Sequence, residues 1–236
     1  MLHTTLRQIS ISSSRRGISL LLILLLCCIP ASAQKKKKMR VEPDTIPWFR
    51  GLQVSADLEG PIQLAVSDYG QYEAALKGNL KDKYFPTLEL GYGIADHDEI
   101  ASNRYKTKAP YGRIGCDFNI LKDKHQPYRA FAGLRYAYTS YKDDVSRDGV
   151  FDPVWRENVE YDVRGNKCYY HWWELVAGVD AKGMGPIHLG WTVRYKRRLA
   201  YDEGVLGKSW YVPGYGISGS SKIGVNFNFI IDLWLH

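Results

Sequence analysis

Three groups of residues in this chain could do chemistry. The stretch DVSRDGVFD sets Asp144, Ser146, Asp148, Gly149 and Asp152 at positions 1, 3, 5, 6 and 9 of a calcium-loop template. Oxygen donors at that spacing converge on one hard cation if the backbone turns sharply at the glycine. Position 12 of the template asks for a bidentate glutamate; Trp155 stands there, with Glu157 two residues late. A solvated acidic loop accounts for the same residues. The second group, Asp96-His97-Asp98-Glu99, puts an imidazole among acids, the make-up of a general base. No serine nucleophile stands at a matching spacing, and contiguous loop residues rarely share one geometry. The third is Cys116 with Cys168, which read as free thiols acting as small hydrophobes rather than a bridge.

A larger constellation is electrostatic. The acids Asp57, Glu59, Glu73, Glu89, Asp117, Glu174, Asp180 and Asp232 and the bases Lys77, Arg113, Arg129, Arg135, Lys182, Arg194, Lys196 and Lys222 all occupy alternate positions in apolar segments. Between them fall Gly91, Gly93, Gly115, Gly133, Gly178, Gly190 and Gly224 on the same faces. Glycine inside a strand is costly unless it makes room. Balanced ions and bare backbone on one face describe the inside of a narrow barrel, where ion pairs must be matched because an unpaired one costs several kcal/mol.

The segments that carry these charges alternate with period two, the mark of strands whose successive side chains face opposite ways. They are GLQVSADLE (51–59), YEAALKGNL (72–80), PTLELGYGI (86–94), YGRIGCDFNI (111–120), YRAFAGLRYAYT (128–139), YYHWWELVAGVDAK (169–182), IHLGWTVRYK (187–196) and KIGVNFNFIIDLWL (222–235). Several exceed the roughly 5–6 residues of an ordinary soluble strand and suit the roughly 9–11 of a tilted strand crossing a bilayer. Short links (KDKYF, LKDKHQP, GMGP) alternate with longer ones, of which 142–168 and 200–220 are the longest. Tyr84, Phe85, Tyr128 and Trp234 fall near the short links; Tyr69, Tyr92, Tyr138, Tyr141, Tyr169, Tyr195 and Tyr201 fall near the long ones, as interfacial girdles would. The expected fold is all-β: an antiparallel eight-stranded up-and-down transmembrane barrel with a polar, ion-pair-filled interior too narrow for a pore.

The rest of the chain bounds the compartment. Arg7, Arg15 and Arg16 precede the apolar run Leu20–Cys28, then Pro30 and Ala31-Ser32-Ala33, the organisation of a secretory signal with an A-x-A site. Residues 1–33 read as that signal, 34–49 as a basic periplasmic leader around Lys35–Lys38 and Arg40, and 50–236 as the barrel. The net charge of +7 falls to +4 once the three signal arginines are set aside, and most of the remainder sits in the leader. That leader reads as a solvated tether, with anionic lipid or peptidoglycan as the contact it could make. The body is near neutral, which removes support for nucleic-acid binding.

From signal to final strand the pattern resembles the small eight-stranded outer-membrane barrels of the OmpA and OmpX type, and its turn-and-loop texture an uncharacterised group of Bacteroidetes outer-membrane proteins. The resemblance implies outer-membrane lipid and the barrel-assembly machinery as partners. It also implies a terminal aromatic, where this chain ends Trp234-Leu235-His236. The expected function is non-enzymatic: structural, or binding an envelope or surface protein through the loops 142–168 and 200–220. The exposed aromatics of those loops, Trp155, Tyr161, Trp210 and Tyr211, are the expected contacts, with loop-on-loop packing as the alternative. Rival readings are a barrel enzyme acting on lipid or peptide, a secreted periplasmic soluble β-barrel, and a narrow channel. No cofactor is expected, calcium at Asp144, Ser146, Asp148 and Asp152 being the one cation weighed.

Overall fold

The computed structural model describes residues 47–233 apart from 100–102, 153, 155 and 184, and the backbone alone at 99, 103, 147–148, 150–152 and 158–161. The expected signal, most of the expected leader and Trp234–His236 therefore lie outside the described residues.

The elements in chain order are β1 (Phe49–Asp57), α1 (Glu59–Val66), β2 (Tyr69–Leu80), β3 (Tyr84–Glu99), β4 (Asn103–Asn119), β5 (Tyr128–Asp152), β6 (Glu157–Lys182), β7 (Ile187–Asp202), β8 (Tyr211–Val212), β9 (Gly216–Ile217) and β10 (Ser221–Asp232). β1 to β7 and β10 close a barrel in which every neighbour is antiparallel and sequential, with β10 completing the ring against β1. Closure leaves no free sheet edge, provided each strand is paired along its length.

The faces are inverted relative to a soluble protein. Outward positions carry Leu88, Leu90, Ile114, Leu134, Leu175, Leu189, Trp191 and Val193, and Trp191 is 59% exposed. Arg135 and Glu174, inward on neighbouring strands, are 1% and 0% exposed. A water-soluble barrel would need the opposite arrangement. The apolar band has an upper limit on β3, β4 and β5: outward residues turn polar at Asp96 and Asp98, at Lys106 and Lys108, and at Ser140, Lys142 and Asp144. Tyr72, Tyr92, Tyr138 and Tyr169 stand exposed near that limit. Phe85 and Tyr141, expected in the girdles, instead point inward and are buried; each lies one residue from an outward position, and period two permits no other choice.

The long-loop end departs most from expectation. The segment 142–168 is not a loop for most of its length, because β5 and β6 run on as a ribbon of 25 and 26 residues. At about 3.3 Å per residue, Ser140–Asp152 adds roughly 40 Å of strand beyond the band. Register shifts at Asp143/Val145 and Arg147/Val150 mark bulges that bend the ribbon. At the other end, the link between β2 and β3 closes with Lys83 N–H donating to the Leu80 carbonyl at 3.0 Å. Lys81 (φ 55°) and Asp82 (φ 53°) form the type I′ turn whose twist matches a hairpin. Asn79 Nδ2 donates to Asp82 Oδ1 at 2.7 Å, and Arg50 pairs with the same carboxylate, so side chains hold the left-handed backbone without a glycine.

Candidate functional site

The centre of the lumen is a compact ion cluster built by β2, β3, β4, β5, β6 and β7. Arg135 on β5 bridges Glu89 (Nε to Oε1, 3.1 Å) and Asp117 (Nη2 to Oδ1, 2.6 Å). Arg194 on β7 reaches Glu89 (2.6 Å), Glu174 (3.2 Å) and Glu73 (3.3 Å). Arg113 on β4 pairs with Glu73, lies 3.2 Å from Glu89 and sets its Nε 3.0 Å from Glu174 Oε1. Lys77 stands 3.6 Å from Asp117. All of these side chains are buried. Aromatic donors complete the shell: Tyr111 O–H donates to Glu73 at 2.7 Å, and Trp172 Nε1–H donates to Glu174 at 2.7 Å. Removing charges from water costs several kcal/mol each, and only mutual pairing with filled hydrogen-bond sites offsets it. The strands can bring bulky ions this close because Gly115 and Gly133 flank the Arg135 side chain; a Cβ on Gly133 would strike the Asp117 carboxylate. The space left beside the cluster is about 10 Å³, enough for about one water.

Towards the short-turn end, Arg129 pairs with Asp180 and stacks over Phe85, its guanidinium carbon 3.7 Å from the ring centre. His188 Nε2 lies 2.7 Å from Asp232, which also accepts from Gln53 Nε2 at 2.8 Å. Below them a vestibule of about 270 Å³ opens between residues such as Arg50, Asp82, His125 and Lys182.

The long-loop mouth is closed by the segment joining β7 to β10. Residues Ser209–Ser218 fold back as the small hairpin β8–β9, and Tyr211, Val212 and Tyr215 are buried. Tyr215 N–H donates to the Val212 carbonyl at 3.0 Å, with Pro213 and Gly214 (φ 81°) at the centre of the turn. Proline then a left-handed glycine is the type II signature. Gly93 on β3 leaves the space in which Pro213 sits. The hairpin tip is tied to the ion cluster: Arg113 Nη2 donates to the Gly214 carbonyl at 2.7 Å, and Lys196 Nζ donates to the same carbonyl at 2.8 Å.

Above the apolar band a second polar cluster holds the base of this hairpin. Ser209 Oγ donates to Asp143 Oδ2 (3.0 Å), Tyr141 O–H to Ser209 Oγ (2.8 Å), and Asn166 Nδ2 to Asp143 Oδ1 (2.8 Å) and to the Glu203 carbonyl (2.9 Å). Tyr105 O–H donates to the Tyr211 carbonyl at 2.8 Å. Burial, and then the nearby Asp143 carboxylate, push the Cys168 thiol up to about 12. Burial is also the first cause that raises the Tyr105 and Tyr141 hydroxyls well above the usual phenol range.

Several expected roles change. Glu59 is not a lumen residue: β1 ends at Asp57, and Glu59 is the first residue of α1. Asp57 is buried but makes no ion pair among the described residues; its carboxylate accepts from the Gly60 and Glu59 amides, two of the unpaired donors at the start of that helix. Lys182 is exposed, and Lys196 is satisfied by carbonyls instead of an acid. The calcium template lies on β5, an extended strand at about 3.3 Å per residue, and not on the turning loop that the template assumes. Asp144 accepts from the Gly165 amide at 2.6 Å, and Ser146 pairs with Asp162 across the ribbon; the side chains of Asp148 and Asp152 lie outside the description. Tyr211 is buried, so it offers no exposed contact. Trp210 is half-buried, stacked parallel on His97 with ring centres 4.2 Å apart. Trp155 and the Tyr161 side chain lie outside the described residues. His97 faces Asp68 (2.9 Å), 29 positions back in the chain, instead of the acids beside it. Cys116 and Cys168 are free. The cap was missed at the sequence level, although Pro213-Gly214 between aromatics was its turn signal.

Comparison with curated proteins finds no match. Among solved structures, the N-terminal β-barrel domain of Pseudomonas aeruginosa OprF is matched at 8% identity and a TM-score of 0.33, over 78% of this chain and 99% of that one. The family model described as "Domain of unknown function (DUF6048)" matches residues 14–235, and the chain belongs to that family.

Proposed function

We propose that this protein is a sealed, non-enzymatic barrel of the bacterial outer membrane, exported through a cleaved signal. Its work is to fix a rigid surface projection to the envelope. One observation carries the reading: the lumen is filled across its width by paired ions and closed above by a hairpin hydrogen-bonded to them, inside a wall whose outer face is apolar. A transport pore needs a continuous water path, and an eight-stranded barrel filled this way has none. The surface available to a partner is then the ribbon of β5 and β6, since the 200–220 segment is spent on the cap. An envelope or surface protein is the partner this shape suits.

Planar-bilayer recording with the purified mature chain tests the sealed reading. Flat traces are expected, also after Tyr215→Ala loosens the cap, because the ion cluster lies beneath it. Discrete conductance steps from the unaltered protein would replace this reading with a channel. For the enzymatic rival, His97→Ala and Asp98→Ala should change neither lipid A nor surface proteolysis in cells. Loss of a lipid or peptide product would reinstate it.

A further inference from the structure

The ring is not paired along its whole height. β1 stops pairing with β2 at Ala56↔Ala74 and with β10 at Asp57↔Asn228, and the chain then turns into α1. β10 continues upward to Ser221, bonded to β7 on one side only. The Leu58 amide donates to the Phe227 carbonyl at 2.8 Å, the last bond on the β1 side. By the alternation of an antiparallel ladder, the backbone groups of Val225 and Ile223 face that same side, where no strand continues. The β2 side of the gap is covered, because α1 packs on it so closely that a Cβ on Gly60 would strike the Gln71 carbonyl. What remains is a notch in the wall between α1 and the upper edge of β10.

The notch opens into a cavity of about 350 Å³, within the usual range of small-molecule sites. Both faces of β10 line it: Ile223, Val225 and Phe227 from outside, Lys222, Gly224 and Asn226 from inside. It therefore joins the lipid-facing surface to the lumen mouth. Ile223 and Val225 are 69% and 51% exposed and continue the apolar band of Tyr195 and Val193 beside them. The charged groups on its wall are Lys196, Lys222 and Glu59, which leaves the cavity net positive. Lys222 is half-buried, and Glu59 on the same cavity wall is the carboxylate that acts on it electrostatically. An unpaired strand edge within the hydrocarbon region is tolerated only where it lines a polar cavity or is partnered.

On the reading of the chain as a membrane barrel, we propose that this notch binds an anionic amphiphile of the outer leaflet. The head group would lie in the cavity against Lys222 and the free backbone of β10, and the chain along Ile223, Val225 and Phe227. Charge selects the head and continuity with the band selects the tail.

Dodecyl phosphate is a suitable probe, with native mass spectrometry of the mature chain in a neutral maltoside detergent as the measurement. The unaltered barrel should retain one dodecyl phosphate in preference to dodecyl maltoside, and inorganic phosphate at equal concentration should not displace it. Lys222→Ala should weaken retention about tenfold, the loss of one charge-assisted hydrogen bond, and Lys222→Arg should keep most of it. Gly224→Leu should abolish it by filling the cavity, since the nearest atom to a Cβ there is Lys196 Cε at 3.9 Å. Equal retention of neutral and anionic probes by the unaltered barrel, displacement by inorganic phosphate, or undiminished binding in Lys222→Ala and Gly224→Leu would each overturn the proposal. A protein that stays detergent-dependent and heat-modifiable while failing these tests loses only this site; one extracted without detergent loses the membrane reading itself.

Discussion

At the scale of single residues, the lumen cluster sets the largest energies. Arg113 touches Glu73, Glu89 and Glu174, all three buried. Replacing it with methionine preserves volume but leaves buried carboxylates short of partners. Arg113→Met should therefore destabilise the barrel by about 3–5 kcal/mol, read as a lowered urea midpoint in detergent. An unchanged midpoint would mean the cluster carries no net stability. Lys182→Met is the control: the side chain is exposed, and a change within about 0.5 kcal/mol is expected. Gly133→Val tests the same centre by volume. Its side chain enters the space of Asp117 and Arg135, and overpacking of about 1–3 kcal/mol should follow.

At the scale of elements, the cap is the part most open to challenge. Gly214 combines a φ of 81° with a Tyr111 ring where a Cβ would stand. Gly214→Val should spring the hairpin from the mouth and expose the 203–220 segment to protease in intact cells, while the barrel keeps its fold. Resistance equal to the unaltered chain would show the cap does not depend on that turn. The cap should also weaken with alkali. The Cys168 thiol has an ordinary value of 9.0 and is held at about 12 here, so the folded form keeps its proton more tightly. Its contribution is whole below pH 9.0 and is lost as pH rises towards about 12, with Tyr105 and Tyr141 adding in the same direction. The urea midpoint should thus fall between about pH 8 and about pH 11, and a rise would reverse the sign of this account. The sequence was most legible for the eight barrel strands, because one face of each meets a uniform environment and leaves a strict period of two. It was least legible where that environment ends. Past the band, β5 and β6 keep pairing without an apolar outer face, so Lys142–Cys168 read as a loop. Glu59 followed the alternation by chance, one residue beyond a helix cap. Tyr211 is apolar enough to bury, but only the register of a loop folding back over the lumen reveals that it does.

For the whole molecule, the account rests on inversion: hydrocarbon-compatible side chains outside, matched charges within. Alternate positions on β7 and β10 offer the most direct reading of it. Single cysteines at Leu189, Trp191, Val193 and Val225, and at Gly190, Thr192 and Asn226, would be spin-labelled with Cys116 and Cys168 replaced by alanine, and the protein placed in lipid vesicles. Electron paramagnetic resonance then compares collision with oxygen, which concentrates in lipid, and with a polar nickel complex. The account predicts high oxygen and low nickel access at 189, 191, 193 and 225, with low oxygen access at 190, 192 and 226. No alternation, or nickel access at the first set with the second set shielded, would contradict it.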